Sequence, residues 1–173
     1  MVKSDSSTRL HHIIETNVAG LLAYFYRRVR APEDAGDLLN ETLLILWRKE
    51  TALPGDDTEA RMWIYGIARR VLSTQRRTEQ RRSALHNKLR TELAESADPA
   101  HHLGTEPHAV HSALESLDTL DQEIIRLVYW DGFSLAETSR LLELPEGTVR
   151  SRHHRARTSL KQYLSTAEVR GPR

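Results

Sequence analysis

Cysteine is absent from the 173 residues. That excludes disulfides, thiolate zinc sites and cysteine nucleophiles, and it suits a reducing cytoplasm. Long apolar runs are absent too. No stretch approaches the ~18 residues of a membrane span, so an integral membrane protein is not expected. The opening MVKSDSSTRLHH lacks the apolar core of a secretory signal. Continuous strand-type alternation occurs nowhere. There is no Gly-rich phosphate loop, no H-E-x-x-H pair and no Ser/His/Asp arrangement in a supporting context. The chain is therefore not expected to be an enzyme, and no cofactor, resident metal or small-molecule substrate is expected.

Net charge is also nearly absent, at +1, but that total hides segregation. From Ala60 to Arg90 there are nine Arg or Lys against the single acid Glu79. From Thr91 to Ile125 there are eight Asp or Glu and no Lys or Arg. From Glu146 to Tyr163 five Arg or Lys stand against Glu146. Such a chain is read block by block. Basic blocks point to phosphate-bearing partners, although solvated helix faces look similar one at a time.

The apolar pattern is helical almost throughout. Leu10, Ile13, Ile14, Val18, Leu21, Leu22, Phe25 and Val29 predict a helix over 9–30. A second begins near Pro32, with acids in its first turn where the helix dipole favours them. TALPGDD ends it. A third runs from about Thr58 through ARMWIYGIARRVLSTQRR, in which Ile64, Ile67 and Val71 are expected in the core. Residues 92–111 read as a flexible polar connector with two prolines and four of the nine histidines. His101, His102, His108 and His111 carry metal-ligand chemistry, but no ordered framework supports a site.

Past the connector, LDQEIIRLVYWDG predicts a helix stopped at Asp131-Gly132. Ser134 and Glu137 form a capping box ahead of LAETSRLL. ELP turns the chain, and Pro145 suits the first position of the next helix. Helix, short helix, tight turn and basic helix make a helix-turn-helix. On a wheel of ~100° per residue, Val149, His153, Ala156 and Leu160 share an apolar edge. Ser151, His154, Arg155 and Thr158 lie opposite, flanked by Arg150, Arg157 and Lys161. Arg, Ser, Thr and His on such a face can meet guanine edges and phosphates in a major groove. His153 is expected at the core edge rather than on DNA. Glu146, Gly147 and Thr148 can offer helix N-terminal amides to a phosphate. The fold class is thus all-α: two small helical domains at 8–91 and 112–166, joined by an acidic linker over 92–111.

These residues carry a resemblance. LDTLDQEIIRLVYWDGFSLAETSRLLELPEGTVRSRHHRARTSLKQYL resembles the promoter −35-binding domain of bacterial extracytoplasmic-function sigma factors, through Leu117, Leu120, Gly132, Ser134, Glu137, Leu142 and the run Gly147 to Arg152. DAGDLLNETLLILWR resembles the family's core-polymerase-binding helix, and ARMWIYGIARRVLSTQRRTEQRR its −10-reading helix. The motifs occur in family order over roughly 10–165. Asn40 stands where the family usually has Gln, Arg70 for Asn, Thr74 for Asp, Ser139 for Ala and Glu143 for a turn Gly. The Arg70 and Thr74 departures bear on −10 specificity.

The resemblance implies a polymerase-dependent promoter reader with three surfaces. Thr148, Arg150, Ser151, His154, Arg155 and Thr158 would contact −35 duplex. Trp63, Arg69, Arg70, Thr74, Arg76, Arg77 and Arg81 would hold the −10 strand, with residues around Thr74–Arg82 as a loop capturing a flipped base. Asp37, Asn40, Glu41, Leu44 and Trp47, at i, i+3, i+4, i+7 and i+10, would dock on core RNA polymerase. Promoter DNA and core polymerase are the implied partners, with an anti-sigma factor as a further one. A stand-alone helix-turn-helix regulator and a helical adaptor or small hydrolase are the competing readings. The absent catalytic motifs weigh against the last.

Overall fold

A computed structural model describes residues 2–91 and 108–169. Among them every regular element is helical. The connector residues 92–107, His101 and His102 included, lie outside the described residues. The chain divides between residues 102 and 103 into two compact units.

The first unit contains α1 (Val2–Tyr26), α2 (Pro32–Arg48) and α3 (Asp57–Thr91), with a short 3-10 turn at Glu50–Ala52. Each of the three helices packs on the other two. Leu10, Leu21, Phe25, Leu46 and Ile64 are fully buried between them. Each such side chain contributes about 1.5–3 kcal/mol of transfer free energy. Tyr24 sets its ring edge-on to Phe25 and Tyr65, with centroids 5.4 and 5.5 Å apart. Gly20 makes this approach possible, because a Cβ there would stand 2.7 Å from the Tyr65 hydroxyl.

Two helix ends differ from the sequence pattern. The first stops at Tyr26 rather than near residue 30. Ala31 precedes a proline and is extended, at φ −99° and ψ 124°, as steric conflict with the proline ring requires. In the other direction, α3 continues without a break to Thr91, so Thr74–Arg82 is helix and not a capturing loop. That stretch holds no glycine or proline to break the pattern. It is also stitched by one-turn bonds, Thr78 Oγ1 to the Thr74 carbonyl at 3.1 Å and Gln75 Nε2 to Glu79 Oε1 at 3.1 Å.

The second unit holds α4 (His108–Glu115), α5 (Thr119–Tyr129), α6 (Leu135–Leu142) and α7 (Glu146–Val169). The last four residues read as connector, 108–111, are therefore helical. Val110 there packs against a core of Leu114, Ile125 and Ala156, together with Leu117 and Leu160. Asp118 caps α5 and Gly132 ends its turn at φ 70°. Behind that turn Phe133 is buried. The capping box at α6 is formed: Ser134 Oγ accepts from the Glu137 amide at 3.2 Å, and Glu137 Oε2 accepts from the Ser134 amide at 2.7 Å.

Glu143 makes the tight turn between α6 and α7 in the left-handed region, at φ 57° and ψ 40°. It is exposed and is the one non-glycine residue with positive φ among those described. That conformation costs an L-residue about 1–2 kcal/mol, partly offset because glycine has ~0.4–1 kcal/mol more unfolded-chain freedom to lose. Glu143→Gly is expected to stabilise this unit by about 0.5–1 kcal/mol. Scanning calorimetry should show a midpoint raised by a few degrees, whereas Glu143→Ala leaves it unchanged.

Candidate nucleic-acid interface

In α7 the apolar edge is buried as its periodicity requires: Val149 at 0%, Ala156 at 1% and His153 at 9% exposure. Thr148, Arg150, Ser151, His154, Arg155 and Thr158 are all exposed on the rest of the helix. The helix therefore presents a continuous polar and cationic surface. Ser151 and Thr158 meanwhile anchor their hydroxyls on the carbonyls of Thr148 and His154, each at 3.0 Å. Arg150 is drawn to Glu146, 2.5 Å away. At the N-terminus the Thr148 amide already donates to the Pro145 carbonyl at 2.9 Å. It is thus engaged by the turn, not held open for a phosphate.

His153 turns inward and stacks on Tyr129, with centroids 5.7 Å apart and planes 20° from parallel. Its Nε2 is buried with no hydrogen-bond partner among the described residues. Burial first, then the charges of Arg157 and His154, hold its pKa below 6.5. The unfolded chain thus binds a proton more readily than the folded one, and stability present above pH 6.5 is lost as pH falls toward the lower folded value. Calorimetry is expected to show a lower midpoint at pH 5.5 than at pH 7.5, and a smaller loss in His153→Phe, which keeps the stack. An NMR titration of His153 with a midpoint above 6.5 would contradict this.

On α3, Ile64, Ile67 and Val71 are buried, as their spacing requires. Trp63 and Arg69 are half-buried, and Arg70, Thr74, Arg77 and Arg81 are exposed. Arg76 is half-buried, and its Nη2 donates to the Arg28 carbonyl at 3.2 Å, so it also ties α3 to the end of α1. On α2, Ala35, Leu38, Thr42 and Leu46 face the core. Asp37, Asn40 and Glu41 are exposed, and the same face continues into Leu44 at 56% and Trp47 at 38% exposure. The His11 ring of α1 lies 6.0 Å from that of Trp47. The acids at the start of this helix crowd each other. The Asp34 carboxyl is raised above 3.8 by burial first, then by Glu79, Glu33 and Asp37. His111, weighed as a metal ligand, instead pairs with Glu115 at 3.2 Å. No group of three metal-binding side chains occurs among the described residues.

Comparison with known proteins decides between the readings. Residues 13–82 match the family model for sigma-70 region 2, and residues 108–160 that for sigma-70 region 4. The ECF RNA polymerase sigma factor EcfG of Rhodopseudomonas palustris is 30% identical, over 80% of this chain and 76% of its own. The chain belongs to the ECF RNA polymerase sigma factors. The ECF sigma factor SigL of Mycobacterium tuberculosis is 26% identical over 91% of this chain and 89% of its own. Among solved structures, the fold resembles the sigma factor RpoE of Bartonella quintana, crystallised with the anti-sigma factor NepR. There the TM-score is 0.67 at 22% identity, covering 93% of this chain and 97% of that one. CnrH in complex with the cytosolic domain of CnrY gives 0.62 at 20% identity, covering 92% and 90%.

As a sigma factor the chain serves promoter-specific transcription initiation by RNA polymerase, a regulatory role. No helix among its described residues is long and apolar enough to cross a membrane. One polar residue of this ECF factor's α7 was not singled out by the sequence pattern as structural. Arg152 bonds with Nη2 to both Asp118 carboxylate oxygens at 3.2 Å, and its Nε lies 3.1 Å from Asp121 Oδ1. The latter is an ion contact, bent away from hydrogen-bond geometry. Its partners are 34 and 31 residues away in sequence, so helical periodicity carries no trace of the contact.

Proposed function

We propose that this sigma factor reads promoters with three separate surfaces. The exposed face of α7, carrying Thr148, Arg150, Ser151, His154, Arg155 and Thr158, enters the major groove of the −35 element. The α3 block of Trp63, Arg69, Arg70, Thr74, Arg76, Arg77 and Arg81 holds the unpaired −10 strand, in which cationic and aromatic groups take up phosphates and stacked bases. The α2 face of Asp37, Asn40, Glu41, Leu44 and Trp47 docks on core polymerase. In this reading 8–91 and 112–166 act as the two functional domains, and the acidic 92–111 joins them. No catalysis and no cofactor enter. Strand opening draws on binding energy for the unstacked strand. The protein works in the cytoplasm, at the nucleoid when active.

The observation that carries the reading is the division of α7 into a buried edge and six exposed polar or cationic side chains, immediately after a tight left-handed turn. The test is run-off transcription with purified core polymerase on genomic promoter fragments. Discrete transcripts that require this chain are expected. Duplex binding without polymerase association would instead favour a stand-alone regulator. One of the similar structures, that of RpoE, holds an anti-sigma factor. An inhibitor of that kind would cover exposed Leu44 and Trp47 and compete with polymerase for them.

A further inference from the structure

Arg152 sits three residues after the fully buried Val149 and three before the exposed Arg155. At ~100° per residue it is about 60° from each, on the seam between the packed edge and the outward face. Its side chain is only 21% exposed, so most of it is withdrawn from any ligand in the groove. Its guanidinium instead bridges two carboxylates of one helix start: Asp118, with side chain 61% exposed, and Asp121, at 17%. Asp118 has a second task, because its Oδ1 caps α5 by accepting from the amides of Leu120 at 2.8 Å and Asp121 at 3.4 Å. Those two amides, and then Arg152, hold the Asp118 carboxyl below 3.8. One carboxylate thus fixes both the start of α5 and the seam of α7.

The packed edge of α7 is made partly of small side chains, Val149 and Ala156. Such an edge sets the helix's distance from its neighbours better than its rotation about its own axis. A planar fork held by two anions off that edge resists rotation. Rotation matters because recognition tolerates only about 0.5 Å and 10–20° of error at contacting groups. We infer that Arg152, clamped by Asp118 and Asp121, is a positioning residue that sets the rotation of α7 and so aims Ser151, Arg155 and Thr158 at the −35 bases. This rests on the reading of α7 as the −35 reader. It adds that an arginine within the basic run serves specificity without touching DNA.

The test uses holoenzyme reconstituted from the full chain and core polymerase. The probes are a promoter duplex taken from the run-off assay and the same duplex with its −35 element scrambled. Asp118→Asn/Asp121→Asn removes both anions yet keeps a capping side chain, since Asn caps as well as Asp. Asp121→Asn alone leaves the cap untouched, and circular dichroism confirms that each variant is folded. Arg152→Gln and the double Asn variant are each expected to lose about fivefold or more in affinity for the intact duplex. Binding to the scrambled duplex and the salt dependence should stay unchanged. Combining the changes should cost no more than Arg152→Gln alone, as coupled groups require. A direct phosphate contact would behave otherwise: Arg152→Gln would lower the salt slope by about one, and the Asn variants would bind as tightly as wild type or tighter. That result overturns the inference, as does wild-type discrimination in every variant. If wild-type holoenzyme does not distinguish the two duplexes, the −35 reading itself fails and the inference with it.

Discussion

Asp37→Arg combined with Glu41→Arg is expected to abolish co-elution with core polymerase, weakening association by about 100-fold or more. Both carboxylates are exposed on the face of α2 that continues into Leu44 and Trp47. The opposite face, of Ala35, Leu38, Thr42 and Leu46, carries the packing, so helix and core survive the change. Burial first, then the charges of Glu79, Glu33 and lastly Asp37, raise the Asp34 carboxyl. Asp37→Arg replaces the least of these charges with a cation. The free double variant should thus keep its thermal midpoint while a cationic docking surface now meets like charge, at a cost of several kcal/mol. Size-exclusion chromatography of the variant with core enzyme is the measurement, and co-elution at the wild-type ratio would refute the docking face. The separation of effects is the stronger part of the expectation. Binding of the free variant to −35 duplex should be unaffected, because that surface belongs to the other unit.

The elements most legible in the sequence are those whose signals are local. Pro32 opens α2, Gly132 takes φ 70°, Ser134 and Glu137 close the capping box, and Glu143 accepts the left-handed turn that its place in the motif demands. Each depends on backbone chemistry within four residues. The faces of α2 and α7 were legible for a related reason: a 3.6-residue period alone separates Leu38 and Leu46 from Asp37 and Glu41, and Val149 and Ala156 from Arg155 and Thr158. What the sequence did not reveal has no local signature. The first helix extends back to Val2 through polar residues that carry no apolar period, and α3 runs to Thr91 in the same way. Arg9 binds the Pro54 carbonyl and Asp57, 48 residues along the chain, which only the folded chain brings near. The requirement for glycine at position 20 depends on the Tyr65 hydroxyl of another helix. Phe133, lone in its turn, gives no period by which burial could be read. Arg152 is the most instructive case, because it belongs to the same basic run as Arg150 and Arg155, while Asp118 and Asp121 hold it back.

Arg155→Ala is expected to weaken binding to the −35 duplex by about 1–3 kcal/mol, the value of a guanidinium bidentate to a guanine, or roughly 5- to 150-fold in affinity. Arg155 is the arginine of α7 best placed for that role. Arg150 is engaged by Glu146, Arg152 by two aspartates, and Arg157 lies on the flank nearer His153, whose pKa its charge helps lower. Arg155 is exposed within the polar arc, with Ser151 one turn before it and Thr158 nearly one turn after. A base contact and a phosphate contact have different signatures here. If Arg155 reads a guanine, the alanine variant loses discrimination at one base pair, and its salt dependence stays close to wild type. If it only neutralises a phosphate, affinity falls evenly across sequences and the salt slope drops by about one. Arg155→Lys separates the two further, because an ammonium restores a phosphate contact but not a planar two-point fork. Anisotropy titrations against single-base variants of the −35 duplex, at two or more salt concentrations, read all three quantities at once. Association with core polymerase should be unchanged throughout, since Asp37 and Glu41 lie in the other unit. Wild-type affinity of Arg155→Ala for the specific duplex would remove this face of α7 from the recognition surface.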